Sequence, residues 1–296
     1  MRAFAWFLAA IVGAIVVASL VAYPAYLLLH PLVPAWRIDK IAGRLFDLFL
    51  LLALVQVVRH LRLNTRRDWG YGLPRPRWLR QFACGLAAGV VTMLPVTLAM
   101  LALGAREPVP GFSAVLLRQA LLVGLGSGLV VGLLEETLFR GLLQGAVIRD
   151  SRRPLLGIVL VAVLFAALHF LADKRIPDEA VTPGSGLTLL STVADNFLAP
   201  HRIVDGFLAL LAVGLLTGVV AWWTGSIALS AGLHAGWVWM MRTALITTRI
   251  DEHGGGAWLI YRPHGYVGWL TFCWTLMLLA LLLATRRHWR AWRARG

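Results

Sequence analysis

Apolar residues run through this chain in stretches of about 20, separated by shorter segments rich in arginine, glycine and proline. A helix rises about 1.5 Å per residue, so a stretch of that length crosses the hydrocarbon core of a bilayer. The pattern predicts eight spans, at about 4–29, 43–60, 82–103, 115–146, 155–172, 204–223, 226–246 and 265–284. The expected fold class is all-α: a polytopic integral membrane helical bundle, 1–296 as one domain. Between Pro183 and Pro200 the sequence is too polar for a span, and Leu187, Leu189, Leu190, Val193 and Phe197 predict a short helix on the outer surface.

The loops test this layout, because cytoplasmic connections of a membrane protein collect Lys and Arg. Arg59, Arg62, Arg66, Arg67, Arg75, Arg77 and Arg80 fall between the second and third spans, and Arg149, Arg152 and Arg153 between the fourth and fifth. Arg286, Arg287, Arg290, Arg293 and Arg295 follow the eighth. The intervening loops are balanced, with Asp173, Lys174, Arg175, Asp178 and Glu179 in one and Arg249, Asp251 and Glu252 in another. This alternation places both termini in the cytoplasm. Arg2 and the apolar run from Ala3 to Ala22 are too long for a signal-peptide core and stand as the first helix. Trp36, Trp78, Trp222, Trp223, Trp258, Trp289 and Trp292 lie near proposed ends, where an interfacial belt is expected.

Composition agrees: 59% of residues are hydrophobic and 14% charged, with a mean hydropathy of +0.76. The net charge of +14 is spread over short loops beside apolar segments, which excludes a nucleic-acid-binding face. Cys84 and Cys273 each fall in a predicted span, against a disulfide framework or a cysteine metal site.

Against this background Glu135, Glu136 and Arg140 stand out inside the fourth span. Each charge in hydrocarbon costs roughly 2.5–3.5 kcal/mol even on lenient insertion scales, so the group needs partners or a task. Glu136 and Arg140 are i,i+4 neighbours and can pair. Glu135 points about 100° away, on the azimuth of Gly124 and Gly128, whose small size allows another helix close and turns Glu135 toward the bundle interior. His169, one turn after Phe165, and His234 also lie in predicted spans. Measured from the cytoplasmic ends, Glu135, His169 and His234 lie roughly 16, 22 and 12 Å deep, close enough to share a site. A carboxylate with two imidazoles can activate water as a general base with an oxyanion donor. The same three residues can instead ligate zinc and lower the pKa of its bound water to about 7.

Glu-Glu-x-x-x-Arg at 135–140, Phe-x-x-x-His at 165–169 and a third motif opening at His234 resemble the CPBP family of intramembrane proteases, also called the Abi or type II CAAX prenyl endopeptidase family. The likeness runs from about Leu116 to Met241, with the motif-bearing core at about 115–246. It implies an intramembrane endopeptidase in which Glu135 and His169 activate water and His234 helps bind the oxyanion, with Glu136, Arg140, Phe165 and Trp237 shaping the site. The mechanism it implies is metal-assisted, through zinc at Glu135, His169 and His234, or metal-free with no other cofactor. Its partners are membrane lipid and a membrane-associated peptide or protein substrate, and its location is multi-pass in a bacterial cytoplasmic membrane. One departure is Val238, where the family pattern often has Asn or Asp. Valine cannot donate to an oxyanion, which leaves that role lost or moved, for example to the Trp237 indole N–H. The alternatives are a noncatalytic scaffold or bacteriocin-immunity-type relative, or a proton-coupled transporter.

Overall fold

The computed structural model describes residues 1–171 and 175–285, with the side chains of 193 and 196 outside that description. The expectations for Asp173 and Lys174, for Arg286, Arg287, Arg290, Arg293 and Arg295, for Trp289 and Trp292, and for the side chain of Val193 lie outside the described residues.

The chain is an all-α polytopic membrane bundle. Its helices are α1 (Arg2–Leu29), α2 (Ile38–His60), α3 (Arg75–Ala102), α4 (Ala114–Ser151), α5 (Pro154–Leu168), α6 (Ser185–Leu198), α7 (Val204–Thr224), α8 (Ala228–Thr247) and α9 (Trp269–Ala284). Each predicted span has a helical counterpart, although among the described residues five helices (α1, α2, α3, α4 and α7) are long and apolar enough to cross a membrane by themselves. α5 and α9 are shorter apolar helices. The 155–172 span ends early, at Leu168, so His169 falls in a turn and not within the helix.

Two compact units divide the chain. The first comprises residues 1–64 and 167–203. There α1 packs along α2, and Ala22, Tyr26, Ile38, Ile41 and Ile176 form a buried cluster with Leu189 of α6 against it. The helix expected between Pro183 and Pro200 is α6; it lies on α1, with Gly186 so close that a Cβ there would overlap the Ser19 carbonyl.

The second unit comprises residues 65–166 and 204–296, and its described part carries the chemistry. α8 is packed between α3 and α4. Gly85 and Gly89 of α3 face Gly232 and Gly236 of α8, and a side chain at any of the four would meet opposing backbone. Without a hydrophobic driving force between helices in lipid, such small-residue contacts supply the packing. At one end of this unit β1 (Arg106–Pro108) pairs antiparallel with β2 (Thr248–Ile250), Arg106 opposite Ile250. Arg106 donates there to the Thr248 hydroxyl and carbonyl, each at 2.6 Å, and to the Gly265 carbonyl. The neighbouring Tyr266 is fully buried, and its hydroxyl lies 2.7 Å from that of Thr97. At the other end Arg149 of α4 bonds Asp68 at 2.8 Å, and Ile227, just before α8, donates its N–H to the Gly70 carbonyl. The start of α3, the end of α4 and the start of α8 therefore share the arginine-rich end, as the charge alternation required.

Candidate active site

α4 opens at Ser113, whose hydroxyl accepts from the Leu116 N–H and caps the first turn. From there its buried positions recur every four residues: Ala120, Gly124, Gly128, Gly132 and Glu136. The opposite face, with Leu122, Val123, Val130 and Leu134, is exposed and apolar, as a lipid-facing surface must be. This four-residue ridge is the one laid against α8, where Cβ atoms at Gly128 or Gly132 would collide with the Ala235 backbone. It corrects the expectation drawn from ideal helix angles. Glu136 is the acid that continues the glycine row, with its side chain fully buried, while the Glu135 side chain sits at the flank, 28% exposed.

The buried end of the row is a line of alternating charge. Arg140 Nη1 lies 3.3 Å from Glu136 Oε1, the i,i+4 pair expected from spacing. His234 reaches the same oxygen from α8, Nδ1 to Oε1 at 3.1 Å, and its other nitrogen, Nε2, lies 3.7 Å from Glu135 Oε2. That last gap exceeds a hydrogen bond. Glu135 Oε2, Glu136 Oε2, Arg140 Nε and Gln144 Oε1 are buried with no hydrogen-bond partner among the described residues. Buried polar atoms are ordinarily paired, so these side chains have hydrogen-bonding capacity beyond what they use on one another.

Phe165 of α5 forms the apolar wall. Its ring centroid lies 4.4 Å from the Arg140 guanidinium carbon, 6.0 Å from the His234 ring and 5.2 Å from Phe139, which meets it edge-on. The guanidinium thus sits over a π-face, which offsets part of its desolvation.

Between Glu136 and Gly145 the helix widens to π geometry over Thr137–Gln144. Such bulges are frequent at functional sites. Within it Arg140 Nη2 and Gln144 Nε2 donate to the carbonyls of Gly214 and Gly218 on α7, at 3.5 and 3.0 Å. Gly141 has no room for a side chain because the Trp69 carbonyl lies against it. Tyr71 and Thr137 hydroxyls are 2.8 Å apart, and the Thr137 hydrogen is committed to the Leu133 carbonyl at 2.6 Å, so Tyr71 is the donor. Gln144, Thr137 and Tyr71 were missed from sequence. Gln144 left a signal, being the third polar residue after Glu136 and Arg140 on a four-residue row; Tyr71, distant in sequence, left none.

Of the residues singled out from sequence, Glu135, Glu136, Arg140, Phe165 and His234 are brought together in the second unit. His169 belongs to the first unit, half-buried in the turn that ends α5. Trp237 is buried, and its indole N–H donates to the Thr92 hydroxyl of α3 at 2.9 Å, so the oxyanion role considered for it is not the one its geometry gives. Val238, one turn beyond His234, is buried as well.

Within the second unit, which lacks His169, the fit to a metal is poor. Glu136 Oε1 is already shared by a guanidinium and an imidazole, which leaves Glu135 Oε2 and His234 Nε2 as the facing pair of donors. Catalytic zinc takes three protein ligands at about 2.0–2.2 Å. Among the described residues no three His, Cys, Asp or Glu side chains are grouped to hold an ion.

Outside the helices, the segment that carries Trp69 and Tyr71 is tied down electrostatically. Partial burial works against the Asp68 charge, but hydrogen bonds from Thr65 and the Arg149 guanidinium prevail and hold its carboxyl below the usual range. The Gly70 carbonyl also accepts from the Ser226 hydroxyl at 3.0 Å.

Residues 117–240 match the family described as Type II CAAX prenyl endopeptidase Rce1-like. That interval takes in every motif residue from Glu135 to Trp237. No curated protein and no solved structure matches the chain.

Proposed function

From the Rce1-like domain that the chain carries over residues 117–240, we propose that it is an intramembrane endopeptidase that hydrolyses a peptide bond of a membrane-associated protein or peptide. The observation that carries the reading is the facing pair of Glu135 Oε2, buried and unpartnered, and His234 Nε2, 3.7 Å away, inside that domain. A water held at this pair gives its proton to the Glu135 carboxylate while its oxygen attacks the scissile carbonyl carbon. The carbonyl π-electrons move to oxygen, where an N–H of His234 stabilises the oxyanion. Collapse breaks the C–N bond, and the proton on Glu135 passes to the departing amine, which restores the carboxylate. Glu136, Arg140 and Phe165 shape the site, and lipid surrounds it. No step runs through a metal, given the donor set.

The test is cleavage of membrane-anchored peptides by the purified chain in lipid vesicles. Glu135→Gln keeps the size of the side chain and removes the base, so cleavage is expected to fall at least ~10²-fold, the lower range for loss of acid–base catalysis, with the protein still inserted. Undiminished cleavage by this variant overturns the assignment.

A further inference from the structure

We propose that Glu136 is a positioning residue, one that keeps a proton on His234 Nδ1 and so presents Nε2, and no other nitrogen, to Glu135 and the substrate. The inference rests on the hydrolase reading above and assigns the second acid of the motif a task distinct from the first.

The argument is one of donors and acceptors. Glu136 Oε1 lies 3.3 Å from Arg140 Nη1 and 3.1 Å from His234 Nδ1, and the Glu136 and Arg140 side chains are fully buried. A guanidinium has no acceptor and does not release its proton, so a carboxylate beside it acts as an acceptor. An acceptor oxygen at hydrogen-bond distance from a ring nitrogen requires an N–H on that nitrogen; a bare Nδ1 would set two lone pairs against each other in a site closed to water. Nδ1 is therefore the donor to Glu136, and Nε2 is the nitrogen free to change.

The geometry beyond the ring agrees. Nε2 points at Glu135 Oε2 across 3.7 Å, and that oxygen lacks a hydrogen-bond partner. A histidine oriented at one nitrogen by a buried carboxylate and reacting through the other follows the logic of catalytic triads, as do metal-bound histidines with their outer carboxylates. It also answers the departure at Val238. When His234 serves the oxyanion it does so through Nε2–H with both ring nitrogens protonated, its charge bracketed by Glu135 on one side and Glu136 on the other. The edge of Phe165 and the packing of α8 between two helices fix the plane of the ring. Arg140 completes the arrangement by occupying Glu136 from behind.

The experiment reads the ring directly. The full chain, labelled with ¹⁵N-histidine and held in lipid nanodiscs, gives nitrogen resonances that distinguish protonated from bare Nδ1 and Nε2; the His234 signals are those lost in His234→Gln. Nδ1 is expected to carry a proton in the unmodified protein, and Glu136→Gln is expected to add a population with bare Nδ1. In parallel, Glu136→Gln lowers kcat by up to ~10⁴-fold, the loss seen when the orienting carboxylate of a triad is replaced, with KM changed less than about threefold. Because that variant strands the Arg140 charge, Glu136→Gln combined with Arg140→Met gives a second reading without it. Bare Nδ1 in the unmodified protein, or an unchanged ring signal in both variants, overturns the inference. Neither result depends on cleavage, so intact cleavage by Glu135→Gln would remove the hydrolase reading separately.

Discussion

Arg140 keeps its charge in the interior through three contacts of different kinds: the Glu136 carboxylate at 3.3 Å, the Phe165 ring and the Gly214 carbonyl. Removing one member of a buried pair leaves the other uncompensated, which costs about 3–5 kcal/mol, whereas replacing both can be neutral. Arg140→Met is therefore expected to destabilise the folded chain by that amount in detergent melts, and Glu136→Gln added to it to recover most of the loss. Equal stability of the single and double variants would show that the pair does not act as a unit. This pair was legible in the sequence, because i,i+4 spacing on one helix needs no knowledge of the rest of the molecule. The orientation of Glu135 was not. Ideal angles put it in line with Gly124 and Gly128, whereas the contact with α8 follows a four-residue row that drifts around the helix and ends on Glu136. The indole of Trp237 was equally beyond reach, since its partner Thr92 lies on a helix read as a separate span.

Glycines decide how the helices of the second unit meet, and they do so unequally. A Cβ at Gly128 would overlap the Ala235 carbonyl, while a Cβ at Gly126 meets nothing within 4 Å. Gly128→Ala is expected to lower stability by at least the ~1–3 kcal/mol typical of overpacking. Gly126→Ala should be neutral or stabilising by up to ~1 kcal/mol through helix propensity. Thermal melts of the two variants check the contrast, and similar losses in both would disprove the close crossing of α4 on α8. The segment from Thr65 to Tyr71 offers a second test, in pH. Since the Asp68 carboxyl is held below its ordinary value of 3.8, its bonds to Thr65 and Arg149 stabilise the fold fully above that value. The contribution is lost as pH falls through the lowered one. Asp68→Asn should cost at most about 1 kcal/mol near neutrality, the worth of a partly exposed ion pair, and the gap from the unmodified protein should close in acid. A gap that persists at low pH would assign the effect to shape and not to charge. The glycine row was legible as a packing surface; the widened turn at Thr137–Gln144 was not, because π geometry is chosen by what Arg140 and Gln144 can reach on α7.

Across the second unit, the arginine-rich and balanced connections fall at opposite ends, as hydropathy and charge alone had required. Arg153→Cys and Glu252→Cys, each placed at an exposed position, should therefore be modified by an impermeant thiol reagent from opposite faces of sealed vesicles, Arg153→Cys from the cytoplasmic one. Labelling of both from one face would refute the alternation. The all-α class could be read from the chain because backbone groups in lipid must be satisfied within the segment, as a helix does. Which helix lies between which could not, and the arrangement at α8 carries a further consequence, one of timing. α8 leaves the ribosome some 80 residues after Ser151 closes α4, yet it fills the space between α3 and α4. While the chain is still being made, the glycine faces of those two helices have no partner, and Glu136 has its arginine but not its histidine. The helices made first must wait side by side in the bilayer with a gap held open for the one made late. A chain halted after Thr224 would keep its spans and its ion pair but have no site at all.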